Sequence, residues 1–485
     1  MCYRSFAARC FQPSSWALLF FFVATTFLST AWAQKPEGIL YSFQGGTDGS
    51  SPVGHMVFDA SGDLYGTTTN GGSSSCRSDF QCGTVYQLAP PAQPGGIWTE
   101  TVLYVFQGNT SGDGSSPLGG LTIDNAGNLY GTTATGGAGN CVVLGILMGC
   151  GTVFELSPPK MKGEAWTEEV LYSFQSGDDG YLPYGDLVFD SAGNLYGVTL
   201  YGGGYGTNCG DAYYLYCGTV FELSPPNIQG GAWTEQVLYG FKGVERGALI
   251  GDGANPNGGL AFDGAGEIYG TTQIGGFNCP HRSGAGGCGT AFKLTPPAKK
   301  GQPWTETIIH RFISVLDGES PGGGLTSAGN GGFYGTTQFG GLGQNQYGTV
   351  FLLAPGPDGS WTKYVLYSFE GLSDGSKPTG SILLDAEGDL YGTSLSGGVG
   401  GGTLYELPRT SIASRTLDIL HEFRGNPDGA QPLGGLVFDA AGNLYGNTSE
   451  GGTGSACGSY GCGTIFQLNP LGTREPIQTF GYGRK

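Results

Sequence analysis

Residues 434–448 read GGLVFDAAGNLYGNT. An apolar run closes on Asp439, a small turn follows, and a second run opens Leu-Tyr-Gly. The phrase recurs along the chain: MVFDASGDLYGTT from Met56, LTIDNAGNLYGTT from Leu121, LVFDSAGNLYGVT from Leu187, LAFDGAGEIYGTT from Leu260, LTSAGNGGFYGTT from Leu325 and ILLDAEGDLYGTS from Ile382. Its tyrosines are Tyr65, Tyr130, Tyr196, Tyr269, Tyr334, Tyr391 and Tyr445. Fixed internal phrases at this spacing are the mark of a repeat architecture, and they override a length-based domain count.

Each repeat holds four strand-like runs. In the first they are MVFD at Met56, LYGTT at Leu64, GTVYQL at Gly83 and TETVLYVF at Thr99. All are rich in Val, Tyr, Phe and Thr, and Gly- or Pro-bearing turns separate them. No run has helical periodicity. The expected fold is all-β: a seven-bladed β-propeller of four-stranded antiparallel blades. The long Gly-rich link after each VLYSF-type strand should cross to the next blade, which puts the LVFD-type strand innermost and VLYSF outermost. An orphan outer strand opens the array at 39–43, and a degenerate copy, Ile477–Phe480, ends it; either could complete the last blade. Alternating strand direction places the loop between the second and third strands on the same face as the blade-to-blade link.

Of 485 residues, 95 are Gly, while hydrophobic residues at 39% and aromatics at 12% suffice for a core. The chain carries 21 Lys and Arg against 39 Asp and Glu, a formal net charge of −18, with no basic run. Such a surface repels phosphate backbones, so nucleic acid is not an expected partner. At the N-terminus, Arg4 and Arg9 precede an apolar stretch from Trp16 to Leu28, and Ala31-Trp32-Ala33 offers a signal-peptidase pattern. Residues 1–33 read as a signal peptide and 34–485 as one propeller domain. The expectation is a protein secreted or held in the periplasm or at the cell surface, with no membrane insertion after cleavage.

Ten cysteines remain beyond the leader, as Cys76 with Cys82, Cys141 with Cys150, Cys209 with Cys217, Cys279 with Cys288, and Cys457 with Cys462. Every pair lies between the second and third strands of one repeat. The fifth and sixth repeats have short loops there and lack both cysteines. Both-or-neither behaviour in an exported chain points to five local disulfides rather than a metal site.

Asp-Gly-x-x-Pro precedes every inner strand, at Asp48, Asp113, Asp179, Asp252, Asp317, Asp374 and Asp428. A turn accounts for it: Asp bonds local backbone, Gly takes a positive φ, and Pro sets strand entry. The functional reading is an acidic ring at the channel mouth, and Ca²⁺ is the cation it could hold. A second Asp set, in the hairpin after the inner strand, reads as turn structure alone. Departures from the repeat are the other candidates. Most inner strands begin Gly-Gly, but the second Gly becomes His55, Asp186 and Ser381 in the first, third and sixth repeats. If inner strands line the channel these three face it, and a His beside a carboxylate is the makings of a general base. His310 and His421 replace outer-strand tyrosines. The outer-strand tryptophans Trp98, Trp166, Trp233, Trp304 and Trp361 are expected to pack between blades. No nucleophile elbow, P-loop, HExxH or dinucleotide fingerprint occurs.

The stretch GGLVFDAAGNLYGNTSEGG from Gly434, followed by GCGTIFQL, resembles the GloVer tandem repeat of exported bacterial proteins, and the likeness runs from about Gly38 to Phe480. That resemblance implies export and a propeller-like array but no particular activity. The Pro-x-Gly-Gly start of the inner strand with Gly-Asn-Leu-Tyr is similar, more weakly, to NHL and gluconolactonase-type propellers. Two functions follow as expectations. One is a non-catalytic binding or interaction module for an extracellular glycan, peptide or protein. The other is a channel-centred, lactonase-like hydrolase or lyase, for which a cation could serve the mechanism. An enzyme should show an asymmetric cluster of convergent polar groups in the channel.

Overall fold

A computed structural model describes residues 38–469, apart from 73–81, 94, 109–111, 144–145, 162, 204–216, 229, 244–250, 277–286, 300, 314–315, 343–345, 372 and 412–415. The signal-peptide reading, Ile477–Phe480, and Cys76, Cys209 and Cys279 therefore lie outside the described residues. No helix among the described residues is long and apolar enough to cross a membrane.

The chain is a seven-bladed propeller of antiparallel four-stranded blades. Blade 1 shows the plan. Its inner strand comes in two pieces, Ser50–Pro52 and Val57–Phe58, both paired with the second strand, Leu64–Asn70. The third strand, Thr84–Ala89, pairs with the second, and the outer strand, Thr99–Val105, with the third. Strand order thus matches the sequence reading. Pro interrupts the inner ladder because it cannot donate, which suits the edge position.

The repeated words of the sequence each meet a packing need. The Gly of Leu-Tyr-Gly lies under an aromatic side chain of the third strand: a Cβ on Gly131 would stand 2.7 Å from the ring of Phe154. The last Thr or Ser of Leu-Tyr-Gly-Thr-Thr bonds the Thr that opens the third strand, as in Thr68–Thr84 and Thr133–Thr152, both 2.8 Å and buried. Blades join by apolar packing. Tyr65, Val85 and Phe106 of blade 1 share one cluster with Leu121, Leu129 and Phe154 of blade 2. The tryptophans pack as expected, Trp166 against Tyr65 and Trp233 against Tyr130 of the preceding blade.

Two further contacts repeat at every junction. The residue before the Pro of Asp-Gly-x-x-Pro is left-handed in all seven blades, with φ of +54° to +58°, although none is Gly: Ser51, Ser116, Leu182, Asn255, Ser320, Lys377 and Gln431. Its N–H donates to a loop carbonyl of the preceding blade, at 2.8–3.1 Å; the acceptors are Cys462, Cys82, Cys150, Cys217, Cys288, Tyr347 and Gly401. The neighbouring Pro then seats on the Gly of Cys-Gly-Thr. A Cβ on Gly83 would stand 2.6 Å from Pro117 Cδ, and this Gly is itself left-handed. The cysteine loops and the Asp-Gly links therefore share one face, as strand alternation required.

The ring closes with the N-terminal copy. Gly38–Ser42 is the outer strand of blade 7, paired antiparallel with Thr464–Leu468. Phe43, fully buried, packs with Met56 and Leu64 of blade 1 and Tyr445 and Cys462 of blade 7. Cys141–Cys150 and Cys457–Cys462 are disulfides. Cys82, Cys217 and Cys288 are also disulfide-bonded.

Candidate functional site

At the propeller axis a cavity of about 350 Å³ is lined by residues from every blade. They come from the inner strands just after each Asp-Gly-x-x-Pro and from the ends of second strands, so the cavity belongs to the link face.

Two rings of side chains build it. The outer ring is the residue after each motif proline: Val53, Leu118, Tyr184, Asn257, Gly322, Thr379 and Leu433. The inner ring is two residues further on, where most blades carry Gly and the exceptions are His55, Asp186 and Ser381, all three lining the cavity. Glycine there has a steric cause: a Cβ on Gly120 would strike His55 and Asp186, and one on Gly435 would fall within the His55 imidazole. Leu200, Gln273 and Gln338, from the ends of second strands, complete the wall.

The structure brings His55 and Asp186 together across blade 2. His55 Nδ1 forms an ion pair with Asp186 Oδ2, and both side chains are partly exposed, at 28% and 22%. Asp186 Oδ1 accepts the Gly120 N–H at 2.7 Å. Burial opposes a charged imidazole, but the carboxylate's charge and hydrogen bond outweigh it and hold His55 above its ordinary range. Asp186 is likewise held below the usual carboxylate range despite its burial, by the His55 charge and hydrogen bond and by the Gly120 N–H. Each member thus favours the charged form of the other. Ser381 stands apart from it, its Oγ accepting the Gly324 N–H at 3.0 Å. Three side-chain oxygens of lining residues, Asn255 Oδ1, Asn257 Oδ1 and Thr379 Oγ1, are closed off from solvent and have no hydrogen-bond partner among the described residues.

None of the seven motif aspartates is among the residues that line the cavity. Asp48, Asp113, Asp179, Asp252 and Asp374 instead accept from the outer-strand tyrosines Tyr41, Tyr104, Tyr172, Tyr239 and Tyr367. Asp317 and Asp428 take His310 and His421. Each also accepts a backbone N–H just past that strand, as Asp48 does from Gln44 at 2.8 Å. The cause is local: the carboxylate folds back onto the strand that precedes it, which settles the link but turns its charge away from the axis. Among the described residues no cluster of three or more His, Cys, Asp or Glu is placed to hold a metal. The second Asp set is spent in turns, as Asp59 on the N–H groups of Ser61 and Asp63.

These aspartates meet a second acid across the junction. Glu100, Glu168, Glu235 and Glu306, from the Trp-Thr-Glu starts of blades 1–4, face Asp48, Asp113, Asp179 and Asp252. Burial, then the facing aspartate, raises their carboxyls to about 7, 7, 8 and 7 in that order. In blade 5 the glutamate becomes Lys363, which bonds the Asp317 carboxylate at 3.2 Å.

The outer ring of the cavity escaped the sequence reading. Its signal was a single variable position, Val, Leu, Tyr, Asn, Gly, Thr and Leu in turn, inside an otherwise constant Pro-x-Gly.

Solved structures similar to this chain include a gluconolactonase from Xanthomonas campestris, 14% identical, covering 66% of this chain and 79% of that one with a TM-score of 0.34. A protein of unknown function from Dyadobacter fermentans DSM 18053 is 12% identical over 90% of this chain and 99% of its own, with a TM-score of 0.43. A fungal alcohol oxidase of the AA5 family, in complex with copper, is 14% identical over 90% and 76%, with a TM-score of 0.49. At these identities and scores none of the three speaks to activity. No curated protein matches the sequence. The Gloeobacter/Verrucomicrobia repeat matches residues 26–280 and 277–484, and with nearly the whole repeat array inside those spans the chain belongs to that family.

Proposed function

We propose that this protein is an exported, non-catalytic binding module that takes its ligand in the axial cavity, from the link face. The observation that carries this reading is the cavity itself, where residues of all seven blades converge and where the repeat is broken in a blade-specific way. Its ionised groups are spent on each other, and its remaining polar atoms are amides and hydroxyls that can orient a ligand. Disulfides support an oxidising compartment and hence a partner outside the cytoplasm. The partner is an extracellular glycan, peptide or protein. The test is calorimetry with extracellular polymers and their fragments, on the protein and on Gln273→Leu. Saturable binding that the variant loses supports the proposal, and binding unaffected by cavity substitutions removes it.

A second reading has one specific observation behind it. His55 beside Asp186 in a cleft has the geometry of an oriented base. Against it, Asp186 raises the affinity of His55 for its proton, which weakens it as a base, and no nucleophile stands within its hydrogen-bond reach among the described residues. Hydrolysis of lactones or esters that His55→Gln abolishes would establish this alternative.

A further inference from the structure

The cavity has two chemically different sides. Leu433, Val53 and Leu118 make an aliphatic arc over the consecutive blades 7, 1 and 2. Blades 4 and 5 bring Gln273 and Gln338 to the lining, each from the end of its second strand. The same repeat position holds Thr69, Ala134, Leu200, Leu395 and Ser449 in the other blades, so a carboxamide there belongs to these two neighbours alone. Both glutamines are half-buried, their amides are not closed off from solvent, and neither side chain has a hydrogen-bond partner among the described residues. The volume, about 350 Å³, lies at the small end for ligand sites, which run to roughly 300–1,000 Å³. It admits one large side chain with the peptide groups beside it, and no folded partner.

We infer that the cavity is a receptor for a single large, uncharged apolar side chain, such as Phe or Leu, carried by an extended peptide segment of another protein; this rests on the binding-module reading above. The side chain lies on the arc of Leu433, Val53 and Leu118, where removal of its surface from water supplies most of the affinity. The peptide groups on either side of it must replace the hydrogen bonds they made to water. A carboxamide is donor and acceptor at once, so Gln273 and Gln338 match both the N–H and the C=O of such groups. A Lys, Arg, Asp or Glu anchor is disfavoured, because His55 and Asp186 answer each other and leave no countercharge in the lining. A saccharide is disfavoured by the arc, where three aliphatic side chains give its hydroxyls no partner.

Each side can be altered with a residue that the repeat already uses at that position. Blade 6 has Thr379 where blade 7 has Leu433, and blades 3 and 6 have Leu200 and Leu395 where blades 4 and 5 have the glutamines. Binding is measured by saturation-transfer NMR titration with blocked pentapeptides, acetylated and amidated, that carry Phe, Leu, Ala, Lys or Glu between two pairs of Gly. Maltotriose and chitotriose are the rival probes. The Phe or Leu peptide should bind about tenfold or more tightly than the Ala, Lys and Glu peptides. Leu433→Thr should narrow that lead. Gln273→Leu combined with Gln338→Leu should weaken the Phe and Leu peptides about tenfold while keeping their lead over Ala. Circular dichroism and thermal melts confirm that each variant folds. Binding that does not distinguish Phe or Leu from Ala or Glu, or a lead that Leu433→Thr leaves intact, overturns the anchor assignment. Unchanged affinity in the double Gln variant overturns the backbone contacts. Binding of a trisaccharide and of no peptide, lost in Gln273→Leu, overturns the peptide and leaves the binding module standing. Failure of every probe overturns the inference, and failure accompanied by ester or lactone turnover that depends on His55 overturns the binding module as well.

Discussion

The four junction glutamates make stability depend on pH in a direction that can be worked out. Glu100, Glu168, Glu235 and Glu306 lose their protons near 4.5 when unfolded but hold them to about 7, 7, 8 and 7 when folded. Between those values the folded state binds more protons than the unfolded one, so stability falls as pH climbs from the lower value and levels off above the upper. Each carboxyl is well short of full burial, so screening cuts the nominal ~1.4 kcal/mol per pH unit to about 1 kcal/mol per glutamate overall. Four give about 4 kcal/mol. With an unfolding entropy of roughly 2.1 cal/mol/K per residue, that is a Tm shift of about 4–5 °C for a domain of this size. Replacing all four by Gln removes the titration and lets each amide donate to the facing aspartate. Thermal melts by circular dichroism at pH 5, 7 and 9 should show protein and quadruple variant close together at pH 5, with the variant ahead by about 4–5 °C at pH 9. Parallel profiles across that range would refute the reasoning, because they would mean the glutamates ionise inside the folded ring at no cost.

Other outcomes follow from single contacts. Gly348→Ala puts a Cβ 2.6 Å from Pro378 Cδ at a left-handed position, and urea melts should show a loss of about 2–4 kcal/mol. Lys377→Gly relaxes an exposed left-handed residue while keeping its N–H, and the same melts should show a gain of up to about 1 kcal/mol. Asp186→Asn should lower Tm most at pH values between the depressed carboxylate and the raised imidazole, because the ion pair adds stability only while Asp186 is ionised and His55 protonated; a deficit independent of pH would contradict the pairing. Calorimetric titration with Ca²⁺ should find no site at the channel tighter than about 0.1 mM, since the motif carboxylates are committed to Tyr and His partners.

Much of this was legible because the repeat acts as its own alignment. Strand order, blade number and the shared face of cysteine loops and links all followed from seven copies of one phrase. His55, Asp186 and Ser381 were visible as breaks in a Gly-Gly pattern, but that the first two meet across blade 2 was not readable, since any of the three could have faced either neighbour. The motif aspartates show the limit. Their turn was readable from Gly and Pro, but the partner on the preceding outer strand was not, because it depends on where the Tyr41 or Tyr104 hydroxyl comes to rest. Ring closure stayed open for a different reason: residues 39–43 and 477–480 are near-copies, and only pairing with Thr464–Leu468 separates them. The left-handed Ser51 and its equivalents carried almost no signal, since of Ser, Leu, Asn, Lys and Gln only Asn, at Asn255, has a tendency to that conformation.

Closure by the first strand has a consequence for how the molecule is made. Gly38–Ser42 has no partner until Thr464–Leu468 exists, and Ser51 has no acceptor until Cys462 does. During synthesis the earliest strand must wait for the latest, so assembly spans the longest loop the chain can draw. Blades 1–6 can stack as they emerge, each new link docking on the loop before it. Until the ends meet, the stack has an open mouth at each end: the face of blade 1 that awaits Phe43 and Tyr445, and the unpaired edge of the last blade. A late stall would therefore leave an intermediate whose six finished blades are sound and whose two raw faces are complementary. A neighbouring stalled chain offers the same two faces, so completion of one ring competes with the joining of two.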